Sequence, residues 1–255
     1  MLPIAGPNAG LFRQRPGEPG RNSCDCKLNA PISVVVPTRN AASLIGGTLA
    51  SLYEGLDIGL IRDLVICDGG SRDAIAEIAD EVGAVLVRSE AGRGTQLAAG
   101  AAAAKGDWLL FLHADTRLSP GWTSEVAAHM EGSPEKAAYF KLEFDSNSSA
   151  ARAVAAWANF RSRVFDLPYG DQGLLLSREL YDSIGGFPRI PVMEDVAVAK
   201  RLKGRMLMLN CKASTDASRY EERGWLRHGL GNLALFARHQ LGAKPESISE
   251  KYSRR

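Results

Sequence analysis

The chain has 255 residues, is 45% hydrophobic and 24% charged, and carries a formal net charge of +2 at neutral pH. Those proportions fit a globular protein with a substantial core, long enough for one large domain or two small ones. A nearly balanced charge with no block of like sign argues against a nucleic-acid partner.

The opening stretch up to Ala30 is rich in Pro, Gly and Arg and reads as a flexible tail, residues 1–30. It lacks the uninterrupted apolar segment of a secretory signal. No window reaches the roughly 18 apolar residues needed to cross a bilayer. The expected location is cytoplasmic, with the inner membrane face as an alternative. Of the four cysteines, Cys24 and Cys26 have the wrong spacing for a zinc knuckle and lack a second pair. Cys67 and Cys211 sit in apolar runs and read as small buried hydrophobes.

Ile32–Pro37, "ISVVVP", is a β-branched run stopped by proline. Leu44, Ile45, Thr48, Leu49 and Leu52 then recur at helical spacing. "DLVICDGG" is a second apolar strand ending in Asp68-Gly69-Gly70. Ser71 is placed as a helix N-cap ahead of the stripe Ile75, Ile78, Ala79 and Val82, which Gly83 is suited to close. "AVLVRS" is a third strand, "TQLAAGAAAAKG" a helix of small residues able to pack close to a sheet, and "WLLFL" a fourth strand. Ser119-Pro120 reads as an N-cap and a first-turn proline.

The second half changes character. "AAYFKLEF" alternates as a half-exposed, antiparallel strand, and "SSAARAVAAWANFRSRVF" is a helix. A strand (Gly173–Ser177), a short helix (Arg178–Ile184), a turn (Gly185–Pro191) and a helix from about Met193 follow. "RMLMLN" is a strand, and Trp225, Leu226, Leu230, Leu233 and Phe236 space out a C-terminal helix. No linker breaks the apolar rhythm between Pro31 and Leu241, so residues 31–241 form one domain, followed by a tail at 242–255.

Strand and helix alternating four times imply an α/β fold: a Rossmann-like, mostly parallel sheet with helices on both faces, continued by a mixed C-terminal half. Ligands of such sheets bind at the carboxyl ends of the strands. The polar clusters fall there: Thr38-Arg39-Asn40, Asp68-Gly69-Gly70-Ser71 and His113-Ala114-Asp115-Thr116. Gly92-Arg93-Gly94 is an incomplete dinucleotide fingerprint in the wrong place. No phosphate-binding P-loop and no serine nucleophile elbow occur. Asp68 and Asp115 each end an apolar strand, where a carboxylate either pairs or meets a ligand. An Asp with a diphosphate is enough to hold Mg²⁺ or Mn²⁺, whereas the plainer reading of both is a turn residue.

The stretches "VVVPTRN", "VICDGGSRDAIAEIA", "GRGTQLAAGAAAAKGDWLLFLHADT" and "GGFPRIPVMEDVAVAKRL" resemble family 2 glycosyltransferases of the GT-A fold, in order, from about Ile32 to Gly224. The "LHADT" and "PYGDQG" forms are similar to a bacterial subgroup that includes diaponeurosporenoate glycosyltransferase-like proteins. The resemblance implies an inverting transferase that moves a sugar from a nucleoside-diphosphate donor to a hydroxyl or carboxyl of an unidentified, lipid-like acceptor. By the same resemblance Pro37, Thr38 and Asn40 border the nucleotide. Asp68, with Gly70 beside it, meets the base, often uracil, and Arg93 lies near the diphosphate. Asp115 is the last aspartate of an Asp-x-Asp metal motif that His113 and Ala114 complete. Glu194-Asp195 is the acidic pair that supplies the catalytic base, assigned to Asp195.

Two departures stand out. Ala41 and Ala42 replace the acidic residue usual after Asn40, and His113 replaces the first Asp of Asp-x-Asp. Neutral imidazole matches a hard cation poorly, so Asp115 is the one metal ligand assigned. Asp171 and Gln172 in "PYGDQG" are candidates for sugar or acceptor hydroxyls, with a plain turn weighing equally. Arg219 and Arg223 are candidate partners for acceptor or phosphate, with solvated arginines the equal alternative. The C-terminal helix is a candidate for peripheral membrane contact, though core packing is the plainer reading. Two other functions fit part of the pattern: a nucleotidyltransferase of related fold, and a non-catalytic sugar-nucleotide-binding protein.

Overall fold

The structure is a computed structural model that describes residues 30–224. The expected N-terminal tail up to residue 29, with Cys24 and Cys26, lies outside the described residues, as do the helix from Trp225 and the tail from 242.

The first half alternates as expected: β1 (Ile32–Thr38), α1 (Ile45–Asp57), β2 (Ile61–Asp68), α2 (Ile75–Val82), β3 (Val85–Arg88), α3 (Arg93–Ala103) and β4 (Trp108–Phe111). β1 pairs in parallel with β2 and β4, and β2 with β3. The remainder comprises β5 (Thr116–Leu118), α4 (Trp122–Gly132), β6 (Ala137–Phe144), α5 (Ser149–Phe165), β7 (Leu174–Ser177), α6 (Arg178–Ser183), α7 (Glu194–Arg201), β8 (Met206–Thr215) and α8 (Ser218–Arg223). One eight-stranded sheet runs β3-β2-β1-β4-β7-β6-β8-β5. β7 is antiparallel to β4 and β6, β8 is parallel to β6, and β5 is antiparallel to β8.

The continuous apolar strands follow from helices on both faces. Along β1 successive side chains point to opposite sides. Val34 and Val36 join Ile45, Leu52, Ile75 and Trp122 in one core, and Val35 joins Leu97, Leu109, Leu180 and Val198 in the other. The small residues of α3 let it lie close to the sheet. A Cβ on Gly100 would come within 2.3 Å of Cys67 Sγ, a contact no side chain tolerates. Cys67 and Cys211 are buried, free thiols. Burial pushes each thiol up to about 12, which keeps it a neutral, inert hydrophobe.

Several local expectations are corrected. α4 starts at Trp122, capped by Gly121 at φ 83°, rather than at Ser119-Pro120. Ser119 instead prolongs the sheet, exchanging bonds with Lys212 through its amide (2.9 Å) and hydroxyl (3.0 Å). Ser71 does not cap α2, which starts at Ile75; its hydroxyl donates to the Asp68 carboxylate. β3 is a partly exposed edge strand. β6 is largely buried, because Ala151, Ala155 and Ala158 of α5 cover Leu142 and Phe144. It has an antiparallel neighbour on one side and a parallel one on the other. The strand read from "RMLMLN" runs on to Thr215, where its end pairs with β5, an element the sequence reading missed.

Candidate active site

The carboxyl ends of β1 and β4 and the start of α3 open on a cleft of about 280 Å³ bordered by Pro37, Thr38, Asn40, Arg93, His113, Ala114 and Asp115. Hydrogen bonds between loops fix its floor. Asn40 takes a left-handed backbone (φ 52°); its side-chain oxygen accepts from Arg72 N at 2.9 Å and its amide donates to Ser71 Oγ at 2.8 Å. Asp73 accepts from Ala42 N at 2.8 Å. Asp68 is 7% exposed and its carboxylate accepts from Ser71 N at 3.0 and 3.2 Å. Ser71 therefore engages both Asp68 oxygens, yet an ionised carboxylate has about four acceptor positions and keeps capacity for a further donor. Gly70 turns the chain here at φ 87°.

Gln96 was missed in the sequence and is central to this floor. It is 5% exposed, and its amide nitrogen donates to Thr38 O (2.7 Å) and Cys67 O (2.8 Å). It thereby ties the ends of β1 and β2 beneath the cleft. A lone glutamine in a helix of Gly, Ala and Leu is the signal that could have found it.

The Asp115 turn is held from two distant segments. Thr48 of α1 donates to Ala114 O at 2.8 Å, and Thr215 Oγ1 lies 3.5 Å from Asp115 Oδ1, as does Thr116 Oγ1. No group of three or more His, Cys, Asp or Glu able to hold a metal alone occurs among the described residues. Asp115 fits Mg²⁺ or Mn²⁺ only as one protein carboxylate, with a bound diphosphate and water supplying the other positions. His113 reaches the opposite wall: a Cβ on Gly170 would come within 2.5 Å of His113 Nε2. The ring thus lies on the Gly170 backbone.

Gly92-Arg93-Gly94 opens α3, and Gly94 serves close packing. A Cβ there would meet Pro188 O at 2.2 Å and Ile190 O at 2.7 Å, while Gly94 N donates to Ile190 O at 3.2 Å. This contact seats the loop that delivers Met193, in the left-handed region at φ 67°, and then Glu194 and Asp195 at the start of α7. Arg93 Nε lies 3.7 Å from Glu194 Oε1. Glu194 is 1% exposed and neither oxygen accepts a hydrogen bond. Burial, and then the neighbouring Asp195, push its carboxyl up to about 7 against the pull of Arg93. Asp195 is half-buried and well oriented: Oδ2 accepts from Gly170 N at 3.0 Å and Oδ1 from Val196 N at 2.7 Å.

The "PYGDQG" segment forms a short 3₁₀ turn, Gly170–Gln172. Asp171 comes into the acidic group: burial first, then Asp195 and Asp115, push its carboxyl up to about 6 against Arg161 and Arg93. Its Oδ1 is buried without a hydrogen-bond partner. Gln172 is not brought to the cleft. It is 0% exposed, and its amide is spent on Phe140 O, Asn159 Oδ1, Ser162 Oγ and Tyr169 N. Arg161 stacks over the Tyr169 ring at 3.5 Å. Arg219 and Arg223 fall in α8, and their side chains lie outside the described set. His113, Glu194 and Asp195 also border a small adjoining cavity of about 30 Å³ with apolar walls that include Phe111, Leu174, Phe187 and Leu202.

A cleft at parallel strand ends bordered by Asp115, next to a second cavity bordered by the oriented Asp195 carboxylate, is the candidate site of this α/β fold. The pattern of glycosyl transferase family 2 matches residues 33–180, more than half of the chain, and the protein belongs to that family. A curated relative, a TPR repeat-containing protein of Synechococcus elongatus, is 32% identical over 150 residues, covering 55% of this chain and 34% of the relative. The chain thus spans about a third of that protein's length. Among solved structures, mannosyl-3-phosphoglycerate synthase from Rubrobacter xylanophilus superposes with a TM-score of 0.58 at 18% identity, covering 83% of this chain and 75% of that one. S. aureus TarS 1-349 in complex with UDP-GlcNAc gives 0.54 at 17% identity over 72% of this chain and 58% of that one. Glucosyl-3-phosphoglycerate synthase from Mycobacterium tuberculosis, in complex with Mn²⁺, UDP and phosphoglyceric acid, gives 0.52 at 22% identity over 73% and 69%. The expected GT-A fold is therefore observed.

Proposed function

We propose that the protein transfers a sugar from a UDP-sugar to an acceptor hydroxyl or carboxyl, with inversion and with Mg²⁺ or Mn²⁺. The observation that carries this reading is the arrangement on either side of His113. Thr38, Asn40, Arg93 and Asp115 line the cleft at the strand ends, with Asp68 paired beside Thr38, and His113 also borders the neighbouring cavity, where the Gly170 amide holds Asp195. The UDP-sugar and the Mn²⁺ with UDP named for two of the structural neighbours support the donor and metal assignments.

In this mechanism Asp195 accepts the proton of an acceptor hydroxyl as its oxygen bonds to the sugar C1. The bond from C1 to the β-phosphate oxygen breaks, and its electron pair leaves with UDP. A divalent ion supplies charge neutralisation for that leaving group when bound. The chain contributes Asp115 to hold it and Arg93 as a fixed cation beside the diphosphate. Asp171 and Glu194, both with raised proton affinity, are suited to hold protons near the base and to bond acceptor or sugar hydroxyls. The "LHADT" and "PYGDQG" forms support acceptors of the carotenoid-acid kind, as in diaponeurosporenoate glycosyltransferase-like proteins. A UDP-release assay across a panel of nucleotide sugars, each with and without Mn²⁺, tests the reading. Metal-dependent hydrolysis or transfer from at least one UDP-sugar is expected, and no turnover or binding with any nucleotide sugar would overturn it.

A further inference from the structure

Helix α5 covers β6 with the face carrying Ala151, Ala155, Ala158 and Ser162. Its opposite face is apolar as well. Trp157 (56%), Phe160 (53%), Val164 (55%) and Phe165 (58%) are all exposed, half of the eight large hydrophobic side chains exposed among the described residues. Trp157 and Phe160 touch, with ring centroids 5.8 Å apart. Concentration of this surface on one helix, rather than scatter, marks an interaction face.

The charge around it narrows the partner. The α5 sequence SAARAVAAWANFRSRVF contains three arginines and no acidic residue, and Arg152 and Arg163 are exposed beside the aromatic stripe. At its C-terminal end Asp166 accepts from Gly204 N at 2.8 Å. That bond places the sequence Lys200-Arg201-Leu202-Lys203-Gly204-Arg205 alongside, with Lys203 and Arg205 exposed. An aromatic stripe flanked by Arg152, Arg163, Lys203 and Arg205, with Asp166 turned to the Gly204 amide, matches a surface that is apolar within and anionic at its boundary. A second copy of the chain matches it poorly, since a two-fold contact would set α5 arginines against α5 arginines.

We propose that α5 and the 200–205 turn form a docking face for an anionic lipid bilayer. Trp157, Phe160, Val164 and Phe165 enter the interfacial layer, and Arg163, Lys203 and Arg205 meet lipid phosphates. This seating does not span the bilayer, and no described helix is long and apolar enough to do so.

The test is sedimentation of the full chain with phosphatidylcholine vesicles, with and without phosphatidylglycerol. Binding is expected only to the anionic vesicles and should weaken as salt rises. Trp157→Ser/Phe160→Ser should lose it. Lys203→Glu/Arg205→Glu should weaken it by roughly tenfold or more. All four side chains are exposed, so both variants should keep the wild-type melting temperature, and either alone suffices if the other does not fold. The proposal is overturned if wild type ignores anionic vesicles or if the variants bind as it does. It is also overturned if light scattering shows a dimer that Trp157→Ser/Phe160→Ser converts to a monomer. Protection of Trp157 from acrylamide quenching before vesicles are added would overturn it too, because the chain itself would then cover the stripe.

Discussion

The amide of Gly170 donates to Asp195 Oδ2 at 3.0 Å, joining two segments 25 residues apart in sequence at the cavity beside His113. Together with the bond from Val196 N it leaves the carboxylate little rotational freedom. Replacing Asp195 by Asn keeps an oxygen that can accept from Gly170 but removes the proton acceptor. Asp195→Asn should lower kcat by on the order of 10²–10⁴, while the dissociation constant for UDP, read by calorimetry, stays within error. Retained turnover would remove Asp195 as the base.

Gly170 also carries the His113 ring on its backbone. Gly170→Ala forces a Cβ to within 2.5 Å of His113 Nε2, so the ring or the turn must shift. A loss of about 1–3 kcal/mol of stability is expected, with a fall in kcat as the Asp195 bond is disturbed. In Gly170→Ala/His113→Ala the stability loss should be less than the sum of the two single losses, a coupling measurable by a denaturant cycle. Strict additivity would show that the two residues do not touch.

Two buried carboxyls set a pH dependence. Glu194 is raised from 4.5 to about 7 and Asp171 from 3.8 to about 6. A carboxyl raised in the folded state stabilises it fully below the unfolded value, and that contribution is lost as pH rises through the folded value. The melting temperature should therefore fall between about pH 4 and pH 7. Glu194→Gln should flatten the curve, gaining relative to wild type near pH 8 and little near pH 5. A variant curve parallel to that of wild type would contradict the assignment.

Gln96→Leu keeps the volume and removes both bonds to the ends of β1 and β2. Thr38 O keeps the Gly69 amide (2.9 Å) and Cys67 O the Thr38 hydroxyl (3.4 Å), so each lost bond should cost about 0.5–1.5 kcal/mol, read as a lowered denaturation midpoint. Donor affinity should weaken as well, since these carbonyls lie directly beneath the cleft.

The legible parts of the sequence were those with local causes. The runs "ISVVVP" and "DLVICD" are apolar without alternation because both faces of the sheet are covered, and strand ends with polar residues located the cleft at Thr38 and Asp115. What stayed hidden depends on pairing at a distance. Ser119-Pro120 has the form of a helix start, but β8, some 90 residues on, takes up Ser119 for sheet bonding and moves the helix to Trp122. Ser71 has the form of a cap, but the adjacent Asp68 carboxylate is a stronger partner for its hydroxyl. Gln172 reads as a ligand-facing polar residue in a turn, yet four groups around it absorb its amide. The meeting of Thr215 with Asp115 has no local signal at all.

In the proposed mechanism a nucleoside diphosphate and a divalent ion share the cleft through Asp115. Thermal unfolding with UDP, with and without Mn²⁺, on wild type and Asp115→Ala tests it. At a hundred times its dissociation constant a ligand adds about 2.7 kcal/mol, a rise of roughly 5–10 °C in a domain of this size. Wild type should show that rise only when Mn²⁺ is present, and Asp115→Ala should lose it. An equal shift without metal, or one that survives in Asp115→Ala, would contradict the account.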